Sequence, residues 1–189
     1  MVKKKSEIYQ IKITIKGSKP PIWRRVLVES DSNLDELHDV IQAVMNWEDY
    51  HLYHFFDKNT HSFYSRPDFE LDDAKDSSRV KISSVLKKEK DKIEYEYDFG
   101  DSWEHEILLE KILPDAGEHK VPYCVTGKRA APFEDCGGIW GYEDLCEIIK
   151  DPKHEEHADK LEWLGLEDAS EFDPEHFDIK EINERLSEA

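Results

Sequence analysis

KIEYEYDFGDSWEHEILL, residues 92–109, decides the fold. Apolar and polar residues alternate on both sides of a central Gly100-Asp101, the period-two pattern of two half-buried strands. Register discriminates between the turns that could join them. A two-residue loop at Gly100-Asp101 would set Asp98 against Trp103 and Glu94 against Ile107, mixing polar and apolar residues on one face. A three-residue loop, Gly100-Asp101-Ser102, pairs Phe99 with Trp103, Tyr97 with His105, Tyr95 with Ile107 and Ile93 with Leu109. All apolar residues then share a face, so this second register is the expected one.

Upstream, Tyr9 to Ile15 alternates strictly and reads as a strand. Gly17 to Pro21 is a turn, and Ile22 to Glu29 is the hairpin partner. Leu34, Leu37, His38, Ile41, Val44 and Met45 recur at helical spacing, which predicts a helix over 33–45, with Ser32 and Asp35 as a weak capping box. His51 to Phe56 and His61 to Ser65 read as two strands joined across Asp57–Thr60. Pro67 to Ser78 is expected to be a surface loop, and Lys81 to Leu86 a helical turn. Downstream, residues 114–139 are irregular around Gly137-Gly138. Helices are then expected at Tyr142–Ile149, at Ala158–Leu164 ended by Gly165, and at Ile179–Leu186. The class is α+β: a mixed or antiparallel sheet of about six strands, opening in a β-grasp-like ββαββ order, with helices toward the C-terminus. A single domain over 1–189 is expected, with a flexible tail at 1–6.

The 189-residue chain is 38% hydrophobic and carries 5 Trp, 8 Tyr and 8 Phe. That is enough to build a core despite 37% charged residues. The net charge of −18 repels phosphate backbones and argues against general nucleic-acid binding. The dense basic clusters are Lys3-Lys4-Lys5, read as a solvated tail, and Trp23-Arg24-Arg25. No stretch approaches the ~20 apolar residues of a membrane span, and no signal-peptide core follows the N-terminus. The expected location is the cytoplasm, where Cys124, Cys136 and Cys146, which form no C-x-x-C pair, are free thiols.

Several segments in combination resemble the plasmid pRiA4b ORF-3-like family. They are Pro21-Ile22-Trp23-Arg24-Arg25-Val26, Leu37-His38 with Ile41-Gln42, and Trp47 with His51-Leu52-Tyr53 and Phe55. Further along come Tyr97-Asp98-Phe99-Gly100-Asp101 with Trp103 and His105, then Cys124, Gly127, Arg129-Ala130, Pro132 and Glu134-Asp135-Cys136-Gly137-Gly138, then Gly141-Tyr142. Phe133 stands where a second proline is common in that family. The resemblance implies an α+β protein of a family found on plasmids, on chromosomes and beside insertion elements, with no settled reaction. A role accessory to mobile elements follows from that resemblance alone. The sequence shows no serine-recombinase pattern and no basic arm to hold DNA.

Each chemical motif has two readings. Asp98, Asp101 and His105 are oxygen and nitrogen donors suited to a divalent metal. They also suit a plain hairpin, with Asp101 capping the turn and His105 packed beside Tyr97. The expected register puts Asp98 and His105 on opposite faces. His51 and His54, three apart on a strand, point to opposite faces and make a poor chelate, although either can join Asp98. His38, on the apolar face of its helix, reads as a hydrogen-bonded core residue or a pocket floor. Trp23 and Arg25 share a strand face, where the arginine either pairs with a carboxylate or takes an anion. Cys136, with Arg129, Glu134 and Asp135, belongs to a polar loop. That loop either folds onto the domain, presents a thiol needing activation, or forms an anion-binding nest at Gly137-Gly138. Cys146 reads as core.

No P-loop, dinucleotide fingerprint, zincin or nucleophile-elbow pattern is present, and no clear motif requires a cofactor, although a divalent metal is compatible. The expected function is a binding or interaction module for a small ligand or a protein partner. Its aromatic-lined polar site draws on Trp23, Arg25, His38, His51, His54, Tyr97, Asp98, Asp101, Trp103, His105, Arg129, Glu134, Asp135 and Cys136. The alternative is a metal-dependent hydrolase of phosphoesters, with the metal held among His51, Asp98, Asp101 and His105.

Overall fold

The computed structural model describes residues 6–188. Most of the expected tail lies outside them. Ser6, its last residue, is hydrogen-bonded to Ser30. The strands are β1 (Ile8–Ile15), β2 (Trp23–Glu29), β3 (Tyr53–Asp57), β4 (Ser62–Ser65), β5 (Lys75–Asp76), β6 (Lys92–Tyr97), β7 (Trp103–Leu113) and β8 (Tyr123–Lys128). The helices are α1 (Leu34–Met45), α2 (Ile82–Val85), α3 (Gly138–Lys150), α4 (His157–Leu164) and α5 (Ile179–Glu188).

One mixed sheet holds the strands in the order β5-β4-β3-β6-β7-β1-β2-β8, with only β4 and β5 running parallel. It has eight strands rather than the expected six. The two additions, β5 and β8, are its edges and lie in segments expected to be irregular. The β6–β7 hairpin stands between the two hairpins that open the chain, so the strand order gives no support to a β-grasp arrangement.

Alternation builds a one-sided core. Ile11, Ile13, Ile15, Val26, Ile93, Tyr95, Ile107 and Leu109 are buried on the face that α1 covers. The opposite face carries ion pairs such as Lys16–Glu94 and Lys92–Glu106. The capping box of α1 is formed by Asn33 and Glu36, one residue later than the expected Ser32 and Asp35. The helix ends at Asn46, whose left-handed backbone turns the chain toward Trp47. α5 packs between α1 and β8. Arg185 Nε donates to the Ala43 carbonyl at 3.1 Å, and Asn183 bonds both backbone groups of Cys124.

The 92–109 hairpin has the expected faces but a longer turn. Tyr97 pairs with Trp103, Tyr95 with His105 and Ile93 with Ile107, leaving residues 98–102 as the loop instead of 100–102. Asp98 leaves the ladder because its backbone is left-handed, φ 57°, a region that Asp tolerates better than most residues. Its carboxylate accepts the Gly100 N–H at 2.9 Å, and its carbonyl accepts the Ser102 N–H. Phe99 is thereby released from the core face and exposed.

Candidate functional site

The longer turn carries Asp98 and Asp101 toward two other segments, and the three meet. Gly137 N–H donates to Asp101 Oδ2 at 2.9 Å. Of the readings open for this loop, the contact supports the one in which it folds onto the domain: a carboxylate of the same chain takes the place of an external anion at Gly137. Gly138 lies against the Asp101 carbonyl so closely that a Cβ there would sit 2.2 Å from its oxygen. On the other side, the Tyr97 hydroxyl donates to Glu134 Oε1 at 2.5 Å and accepts the Tyr50 N–H at 3.1 Å. Glu134 Oε2 takes the Glu48 N–H at 2.8 Å, while Trp47 Nε1 donates to the Pro132 carbonyl at 2.9 Å. Burial, then the Glu134 carboxylate, raise the Tyr97 pKa, so its hydroxyl remains a donor.

His51 stands at the centre of this junction. Its Nε2 is 3.2 Å from Asp135 Oδ1 and 3.7 Å from Asp98 Oδ2. That nitrogen is buried yet not aligned for a hydrogen bond to either carboxylate. One ligand atom from each of His51, Asp98 and Asp135 lies within 4.8 Å of the others. Donors held about 2.1 Å from a tetrahedral cation stand about 3.4 Å apart, so small side-chain adjustments close the set around one ion. Asp135, like Asp98, has a left-handed backbone, φ 57°, and its side chain is 66% exposed. One nitrogen and two carboxylates suit zinc or manganese better than calcium or magnesium.

Other candidates stand elsewhere. His105 and Trp103 lie in the core beneath the junction. The His105 Nδ1 faces the Trp103 carbonyl at 2.8 Å, and burial lowers its pKa to about 4. His38 is fully buried between the Tyr95 hydroxyl and Asp49, each 2.8 Å away, and stacks on Tyr53. His54 sits beside Phe63, Phe99 and Glu96, apart from His51's carboxylates, and burial lowers its pKa. Arg25 grips Glu110 through two nitrogens and lies over Trp23, which accounts for its charge. Arg24 is buried against the carbonyls of Val44 and Lys128. Arg129 pairs with Glu175 at 2.6 Å. Cys136 adjoins the junction, but burial and then Asp101 push its thiol up to about 12. Burial also pushes Cys124 up to about 11, so neither is an activated nucleophile.

The chain is thus an α+β protein in which a six-residue polar belt, His51, Tyr97, Asp98, Asp101, Glu134 and Asp135, ties a sheet hairpin to two loops. The chain belongs to the plasmid pRiA4b ORF-3-like protein family, whose model matches residues 7–181. It is 35% identical over 185 residues to the uncharacterized protein y4hQ of Sinorhizobium fredii (strain NBRC 101917 / NGR234), covering 97% of this chain and 92% of that one. It also resembles the crystal structure of MM3350, a protein of unknown function from Methanosarcina mazei Go1. Identity there is 42% and the TM-score 0.80, with 93% of this chain and 97% of the other covered. Among the described residues no helix is long and apolar enough to cross a membrane.

Proposed function

We propose that this protein is a binding module whose site is the His51–Asp98–Asp135 junction, and that the junction takes a divalent transition-metal cation. The observation that carries this reading is the buried, unaligned Nε2 of His51 facing two carboxylates. The imidazole nitrogen and two carboxylate oxygens converge on one point, an arrangement that a single cation can bridge. Tyr50 and Leu52, which flank His51, and Phe99, which follows Asp98, are exposed. Large apolar side chains so displayed suit contact with a ligand or partner docked on the cation.

Titration calorimetry with zinc and with manganese, and native mass spectrometry of the loaded protein, test this. One ion per chain is expected, with binding lost in His51→Ala and Asp98→Asn and kept in His54→Ala. Equal binding by His51→Ala, or no binding of either metal, would overturn it. A second reading, a cation-dependent phosphoester hydrolase, is favoured by one observation. Three protein donors leave coordination positions open for water, on the side where Asp135 is exposed. Turnover of bis(nitrophenyl) phosphate by the loaded protein, abolished in Asp98→Asn, would establish it. A loaded but inert protein leaves the binding module.

A further inference from the structure

A separate cavity of about 860 Å³ lies between the turn after β1, helix α3 and the 169–174 segment. That volume falls in the range of small-molecule pockets, roughly 300–1,000 Å³. Ile22 and Ile149, both buried, and Phe172 give it an apolar lining. Two polar side chains more than nine-tenths buried belong to the same wall: Arg129, 8% exposed, and Tyr142, 2% exposed. Arg129 spends Nε on Glu175 and Nη1 on the Pro20 carbonyl, and neither contact engages Nη2. The Tyr142 hydroxyl meets no oxygen or nitrogen partner and has only the weakly accepting Cys146 thiol beside it, an uncommon state for a buried polar group. Burial, then the neighbouring Cys146, raise its pKa, and the charge of Arg129 opposes that rise, so the hydroxyl is protonated.

The rim adds Lys19 and Lys150, with Glu143 and Glu147 also present; Lys150 stands 3.9 Å from Glu147. In a chain with 44 acidic and 26 basic residues, the cavity is less acidic than the whole: Lys19, Arg129 and Lys150 stand against Glu143, Glu147 and the Glu175 that pairs with Arg129. A guanidinium edge and a hydroxyl donor lining one cavity suit the two oxygens of a carboxylate, and the apolar lining matches a hydrocarbon body. We infer that this cavity binds a small organic acid, its carboxylate on Arg129 and Tyr142 and its apolar body against Ile22, Ile149 and Phe172. The site shares no residue with the His51 junction.

Phenylbutyrate and its uncharged counterpart phenylbutanol are the probes, measured by calorimetry and by saturation-transfer NMR. The acid is expected to bind at one saturable site about tenfold or more tighter than the alcohol, a difference of about 1.4 kcal/mol. Arg129→Gln should erase that preference. Arg129 also ties the chain to Pro20 and Glu175, so Ala169→Trp provides a second variant. It fills the cavity from a turn held by the Asp168 capping box, and should abolish binding of both probes while leaving the unfolding midpoint near wild type. Asp98→Asn should change nothing. Equal affinity for acid and alcohol, no saturable binding, or binding that survives Ala169→Trp would each overturn the inference.

Discussion

Two glycines share one left-handed φ and differ sharply in what surrounds them. Gly138 and Gly165 both have φ +68°. A Cβ on Gly165 would meet nothing within 4 Å, so Gly165→Ala carries only the left-handed penalty, about 1 kcal/mol. A Cβ on Gly138 would lie 2.2 Å from the Asp101 carbonyl oxygen and 3.2 Å from its carbon. Both neighbours are backbone, so relief requires the 98–102 turn and the start of α3 to part, an overpacking cost of about 1–3 kcal/mol. Gly138→Ala should therefore destabilise by about 2–4 kcal/mol in total. The alanine's effect on the unfolded chain is the same in both variants and cancels in the difference. Urea unfolding followed by tryptophan fluorescence measures both, provided the m-values agree. Gly138→Ala should also weaken cation binding, because it moves the turn that carries Asp98; Gly165→Ala should not. If the two variants differed by less than about 0.5 kcal/mol, the hairpin and the loop would not be in the contact described.

His105 supplies a pH test. Its folded pKa is lowered to about 4 from an ordinary 6.5, so below pH 6.5 the unfolded chain binds the proton first and stability falls with pH. The loss between pH 7 and pH 5 should be about 2 kcal/mol. His105→Gln should remove that slope, and parallel unfolding profiles for the two proteins over this range would contradict it. Tyr97→Phe removes a donor from Glu134 and an acceptor from Tyr50, and should cost about 1–2 kcal/mol. The Tyr50 amide should then exchange faster with deuterium, and unchanged protection there would show that the hydroxyl does not latch the segment.

The hairpin's buried face was legible because alternation fixes which side each residue takes. Its turn length was not. Moving from Phe99–Trp103 pairing to Tyr97–Trp103 pairing shifts the register by two and keeps the paired apolar residues on their face, with Phe99 alone passing into the turn, so the alternation cannot distinguish the two. The difference lies in Asp98, whose tolerance of a left-handed backbone lets the strand end early. The edge strands β5 and β8 escaped notice for a related reason. β5 has two residues, and β8 is mostly half-buried, so neither shows a clean period. The burial of His105 could be read from its phase, alongside Trp103 and Ile107, and that phase outweighs its credentials as a ligand. The meeting of His51 with Asp135 could not be read. The two lie far apart in the chain, and a second left-handed aspartate in an irregular loop brings them together.

The side chain of Asn183 does for β8 what a ninth strand would do. Its carbonyl oxygen accepts the Cys124 N–H at 2.8 Å, and its amide donates to the Cys124 carbonyl at 3.0 Å, reproducing on the sheet's outer edge the pair of bonds that strands exchange. An open edge is a template for pairing with another chain. One amide, delivered by α5, withholds the Cys124 pair of that template from a second copy of the molecule, so part of the edge is guarded by a helix more than fifty residues beyond the strand.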